Sequence, residues 1–248
     1  MMMIVRSNED GYVLVKQHDH AMVSFQIAQQ LTDEDFPYQE RKQDVLYAIK
    51  HHDRAWIPLD QNVQWDEDTR PYDFNSYPME EKLNAYKRGI KEVEEVHKYS
   101  ALLCSKHYLS FFEQASIDQT IEEFIKYEQE HCDHLMQHLQ LSEGEDTVLH
   151  HLKLLQFCDD LSLYICINKP GATKEEEWPW FRNGFRQFLP SVNGHLTAYW
   201  LDESTIQLKP YPFNKSFSII LPHYQVRATG HSLLDAHNYA TKEIVFVP

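Results

Sequence analysis

The chain opens with two short runs of β-formers, "MIVR" at 3–6 and "YVLVK" at 12–16, separated by the polar "SNEDG", a pattern that reads as a hairpin with a longer loop. The apolar period then lengthens from two to about 3.6 residues. With Pro and Gly nearly absent inside the stretches, it predicts helices over 19–31, 40–54, 79–113, 118–140 and 145–168, five or six in all. After "NKPGATKEEEWPW" the texture reverts: "TAYWLDESTIQLKPYPF", "FSIILPHYQVRA" and "EIVFV" hold β-formers between Pro and polar turns. Alone, the N-terminal hairpin is too small to be stable, so it is expected to join these strands in one antiparallel sheet beside the helices. The expected fold class is therefore mainly α with an added antiparallel β-sheet (α+β). It forms a single domain over 1–248, with a helical core at 18–168 and a β-sheet subdomain from 1–17 and 196–248.

One connection, residues 57–78, lacks clear periodicity yet carries Trp65, Tyr72, Phe74 and Tyr77. A loop of that length is either a lid that shapes a pocket or a surface crossover, and Arg70 is its sole cation and a speculative anion contact.

Composition narrows the classes. Formal net charge is −15, from 23 basic and 38 acidic side chains, which argues against a nucleic-acid surface because phosphate binding needs clustered Lys and Arg. Cys104, Cys132, Cys158 and Cys166 share no CxxC spacing and stand among apolar residues, as reduced buried thiols of a cytoplasmic protein do. No segment approaches the roughly 18 apolar residues of a membrane span, so no membrane partner is expected.

A metal ligand inside a helical bundle must share phase with an apolar stripe. His20 passes, in phase with Ser24, Ile27 and Leu31, whereas His18 lies at the junction and Asp19 reads as a helix N-cap. His52 lies on the Val45, Ile49, Trp56 face, Asp53 adjoins it, and His51 points elsewhere. Asp159 shares a stripe with Leu152, Leu155, Ser162 and Cys166, while Asp160 keeps company with Lys153 and Gln156; the choice between the two carboxylates stays open. A buried carboxylate needs a cation, a metal or several donors. His97 and His107 also share a face but lie about 15 Å apart on a straight helix, so at most one joins a given centre. His131, His134 and His138 flank their own apolar stripe, and His131 is kept as an outside candidate for a second ion. Two imidazoles and two carboxylates on three helices suit Mn, Fe, Ni, Zn or a similar divalent ion.

The order His20, then His52-Asp53, then Asp159 resembles the signature of the HD-domain superfamily of metal-dependent phosphohydrolases. The words "QHDHA", "AIKHHDRAW", "LLCSKHYL" and "LLQFCDDLSLYICI" also resemble a family of domains of unknown function near that superfamily. The resemblance implies an HD-like helical bundle flanked by the sheet. It also implies that His20, His52, Asp53 and Asp159 hold one divalent ion (Mn, Fe, Ni, Zn or Mg) that activates water against a phosphate ester. Asp53 would orient that water, and His107 or His131 would fill the places of the extra histidines of binuclear members. The expected partner is a small phosphorylated molecule, a phosphomonoester or phosphodiester, with a homo-oligomer left open. Two rivals remain: a di-iron oxygenase on the same site, and a non-catalytic metal- or ligand-binding module.

Overall fold

The structure is a computed structural model that describes residues 3–36, 38–61, 63–67, 70–113, 118–142, 146–192, 194–229, 232–233 and 238–248, with backbone alone at 227–229, 232–233 and 238. Asn62, Asp68 and Thr69 of the long connection, and Glu145 at the start of the last expected helix, lie outside the described residues.

Strands β1 (Met3–Asn8) and β2 (Gly11–Lys16) form a tight hairpin in the register Ile4↔Val15. Helices α1 (Gln17–Ala28), α2 (Lys42–His51), α3 (Met79–Glu94), α4 (Lys98–Ser110), α5 (Gln119–His138) and α6 (Asp146–Ile167) follow. The chain closes with β3 (Thr197–Trp200), β4 (Thr205–Lys209), β5 (Phe217–Thr229), the two-residue β6 (Ser232–Leu233) and β7 (Asn238–Val247). The result is α+β, and the hairpin does join the C-terminal strands: the sheet runs β1-β2-β5-β7-β4-β3, with β6 pairing β5 at its end. It is mixed rather than antiparallel, because β7 returns antiparallel to β5 and thereby lies parallel beside β4, Ile206 opposite Phe246. Strand periodicity shows which residues pair a face but not which neighbour a returning strand meets.

Alternation along the hairpin splits its side chains between two apolar layers. Ile4 and Val15 enter the main core with the helices, while Met3 and Leu14 meet Val226, Tyr12 and Trp65 on the other face. The residue 57–78 connection covers that second face. Trp65 packs edge-on against Tyr12 at 6.2 Å, and Met3 bridges Asp73. This is a surface crossover with its own short helical turn at Leu59–Gln61. Arg70 is exposed and closes a turn with Asp66 through its backbone.

Helix α6 is apolar nearly all round and is accordingly central, packed by α1, α2, α4 and β1. Helix α5 shows a clean stripe and a true cap, the Asp118 carboxylate accepting the Ile121 N–H at 2.9 Å. At α1 the cap is different from the one expected at Asp19. Gln17 is the first helical residue, and its N–H is accepted at 2.8 Å by Asp60 from the crossover, leaving Asp19 within the first turn. The expected 79–113 helix is broken at 95–97, where His97 is extended (φ −142°) and the chain reverses into α4. No Pro or Gly marks that break; it is made by packing of α3 on α4. Among the described residues, no helix is long and apolar enough to cross a membrane.

Helix α3 also presses on the turn that follows α2. A Cβ on Gly89 would stand 2.6 Å from the Ala55 Cα, so only glycine permits this approach. Gly89→Ala is expected to cost about 1–3 kcal/mol through overpacking against an unyielding backbone. Urea denaturation of the variant beside wild type measures it, and an unchanged midpoint would show that the two elements separate freely.

Candidate metal centre

Four helical elements deliver five titratable side chains to one buried spot. His20 comes from the first turn of α1, His107 from the last turn of α4 and Asp159 from the middle of α6. His52 and Asp53 follow α2, whose regular turns end at His51; Asp53 then starts a short 3-10 turn, Arg54–Trp56. On a continuous helix, adjacent side chains diverge by about 100°. Ending the helix lets the His52-Asp53 pair face one point.

His20 Nε2 stands 2.7 Å from Asp159 Oδ1 and 3.9 Å from Asp53 Oδ2. His52 Nε2 is 3.6 Å from Asp53 Oδ2 and 3.4 Å from Asp159 Oδ1, and His107 Nε2 is 3.5 Å from Asp159 Oδ2. Ligands bonded to one ion at about 2.1 Å are separated by roughly 3–3.5 Å, the same range. Two overlapping sets, His20/His52/Asp53 and His52/His107/Asp159, are each compact enough that these buried clusters could hold a metal ion.

The opposite ring nitrogens are tied off. His52 Nδ1 donates to the Ile49 carbonyl at 2.7 Å. The Ser162 hydroxyl donates to the His20 carbonyl at 3.0 Å and accepts from His20 Nδ1 at 2.7 Å. Both rings thus turn Nε2 toward the centre, as metal-ligating histidines do, that of His20 hydrogen-bonded to Asp159 Oδ1 at 2.7 Å. Buried His52 Nε2 has no hydrogen-bond partner among the described residues, which is costly unless an ion takes the lone pair. The carboxylates are oriented too: Trp56 Nε1 donates to Asp53 Oδ1 at 3.1 Å, and the Tyr108 hydroxyl holds the His52 carbonyl. The donor set, all N and O, thus fits a divalent ion.

Electrostatics without an ion reflect the same crowding. Burial acts to lower His52, but Asp53 and Asp159 outweigh it and push the imidazole up to about 9. Asp159 would rise on burial, yet the hydrogen bond from His20 and the neighbouring imidazoles of His52 and His107 hold it well below the usual carboxylate range. Burial raises Asp53 and drives His107 down to about 3, with Asp159 only partly opposing the latter.

The structure therefore brings together His20, His52, Asp53, Asp159 and His107 from the sequence-derived set. It also separates the two carboxylates: Asp159 lies in the centre, while Asp160, equally buried, accepts from Gln187 at 2.8 Å and lies 3.5 Å from Arg186. His97 sits at the helix break, 3.6 Å from Asp44 and outside the centre. His18 and His51 stack on each other at 6.1 Å; burial lowers both, His51 to about 4. Among the basic residues near the motifs, Arg54 pairs with Glu92 at 2.7 Å and Lys50 lies over the Phe25 ring. Trp56 and Tyr108, which orient the ligands, looked like plain core residues; Ser162, on the Asp159 stripe, was the one legible hint of a partner for His20.

An α+β chain with a buried His/Asp cluster able to hold a metal is the class that fold and site define. Residues 3–228 match the family described as Protein of unknown function (DUF3891), and the chain belongs to that family. The matched stretch contains all five residues of the centre. No curated protein and no solved structure matches the chain.

His131 lies apart from the centre, bonded to Glu94 at 3.0 Å and Glu128 at 3.3 Å, where it ties α5 to α3. The hydrogen bond that His131 donates to Glu128 raises it above its ordinary value, burial opposes this, and Glu94 adds to the rise. A raised folded-state value means the stabilisation is complete below the unfolded value near 6.5 and is lost as pH climbs through the folded one. His131→Ala should therefore destabilise the protein by on the order of 1 kcal/mol at pH 6 and by less at pH 9. Denaturation of both proteins at the two pH values tests this; an equal loss would mean packing alone holds the residue.

Proposed function

We propose that the chain is a metal-dependent hydrolase of HD-like type, with His20, His52, Asp53 and Asp159 holding a divalent ion and a small phosphorylated molecule as substrate. The observation that carries this reading is the convergence of two buried Nε2 atoms on two carboxylates, 2.7–3.9 Å apart, with each Nδ1 tied to a backbone carbonyl or a serine hydroxyl. When bound there, a divalent ion supplies Lewis acidity and a water of lowered pKa. Trp56 fixes one oxygen of Asp53, leaving Oδ2 on the inner side to orient a water. His107, uncharged at neutral pH, stands against Asp159 Oδ2 as a further ligand or hydrogen-bond partner. The helical walls exclude bulk water, which strengthens each of these interactions.

One feature favours a second reading, dioxygen activation at two irons. Asp159 directs Oδ1 at His20 and His52 and Oδ2 at His107, as a carboxylate bridging two ions would. Iron content near two per chain with oxygen consumption selects it over hydrolysis.

Protein purified without chelator is expected to carry stoichiometric divalent metal by elemental analysis, and His52→Ala to lose most of it. A panel of phosphomonoesters and phosphodiesters should reveal turnover that chelation removes and metal restores. Wild-type protein free of metal, with His52→Ala changing neither metal content nor stability, would overturn the centre; bound metal with no turnover across the panel would favour a binding module.

A further inference from the structure

We propose that Tyr86 is the neutral hydrogen-bond donor of a ligand site on the open side of the centre, and that this site takes an oxyanion of the phosphate type. The proposal rests on the metal-centre reading above and adds a residue outside its ligand set.

Of the five residues, the carboxylates keep the most contact with solvent. The side chains of His20 and His52 are 1% exposed and that of His107 2%, whereas those of Asp53 and Asp159 are 9% and 10% exposed. An exchangeable ligand must enter over the carboxylates. Tyr86 lies against that part of the centre, its ring on Trp56, which donates to Asp53; burial first, and then the charges of Asp53 and Asp159, push its phenol well up.

Its ring is held by the residues that orient the ligands. Tyr86 stacks on Tyr108 at 3.9 Å and 14°, the same Tyr108 that holds the His52 carbonyl. It meets Trp56, the donor to Asp53, edge-on at 5.0 Å, and Phe111, which packs on His107, at 6.4 Å. A ring fixed on three sides can move its hydroxyl very little.

Yet this hydroxyl, on a residue only 4% exposed, forms no hydrogen bond among the described residues. Packing needs the ring alone, and phenylalanine would supply it. A phenol held among the residues that orient the centre and given no protein partner is suited to donate to an oxygen atom brought by a ligand. Such a donor favours an oxyanion seated at the centre, and it adds no charge that would repel the ion.

The test uses full-length protein loaded with cobalt(II) and titrated with inorganic phosphate, followed by the visible cobalt spectrum. Wild type should bind phosphate with a spectral change. Tyr86→Phe should keep its cobalt content and thermal stability but bind phosphate about tenfold more weakly, or worse. A purely structural hydroxyl would move stability and leave the affinity alone. Equal phosphate affinity in the two proteins, no phosphate binding by the cobalt-loaded wild type, or a variant that misfolds or loses its cobalt would each overturn the role of Tyr86. Failure of wild type to take up cobalt would instead overturn the metal centre itself, and this inference with it, so the two failures are distinguishable.

Discussion

A carboxylate removed from water must be compensated, and the arrangement of this molecule follows from how Asp159 meets that requirement. It lies in the middle of a helix that is buried on nearly every side, beyond reach of compensating solvent. The compensation comes from three imidazoles carried by α1, the end of α2 and α4. Those three elements, with α6, are the ones packed against each other around the centre. Loss of any one partner would leave a charge or a lone pair stranded in a medium that cannot solvate it.

Around that charge the protein builds a layer whose purpose is orientation. Ser162, the Ile49 carbonyl and Trp56 each take up the atom of a ligand that faces away from the centre, so the inward atom is left with one chemical option. The aromatic wall of Trp56, Tyr86, Tyr108 and Phe111 then fixes that layer from outside. Gly89 belongs to the same device. By bringing α3 into contact with Ala55, it holds the turn in which His52 and Asp53 stop diverging and face the same point. Stability and site geometry are therefore coupled through the turn after α2, and substitutions there act on both.

The sheet contributes differently. The β1–β2 hairpin leads directly into α1, and Asp60 on the crossover satisfies the first amide of that helix. Placement of His20 consequently depends on the hairpin, on β5 beside it and on a loop forty residues downstream. The crossover's aromatic residues divide between the two layers, with Tyr72, Phe74 and Tyr77 packing on the main core. Trp65 covers the outer face of the hairpin rather than a pocket over the centre.

By itself the sequence determined what local periodicity can carry: five apolar-stripe helical regions, the two strand-rich ends, and the inward phase of His20, His52 and Asp159. Phase is a property of a single element, so it is legible without neighbours. Tertiary structure decided what depends on two elements meeting. It split the expected 79–113 helix at His97 although no breaker residue stands there, leaving His97 beside Asp44 while His107 joins the centre. It made the sheet mixed, since the neighbour of β7 is a matter of chain return rather than of residue type. It settled Asp159 against Asp160, because both are buried and only their partners differ, histidines for one and Gln187 for the other. It also gave Asp60 the capping role that adjacency assigned to Asp19, and set the Tyr86 ring against Trp56 and Tyr108. Hydrogen bonds between distant residues leave no period in a sequence, which is why the inward histidines and carboxylates could be read from it and the residues that hold them in place could not.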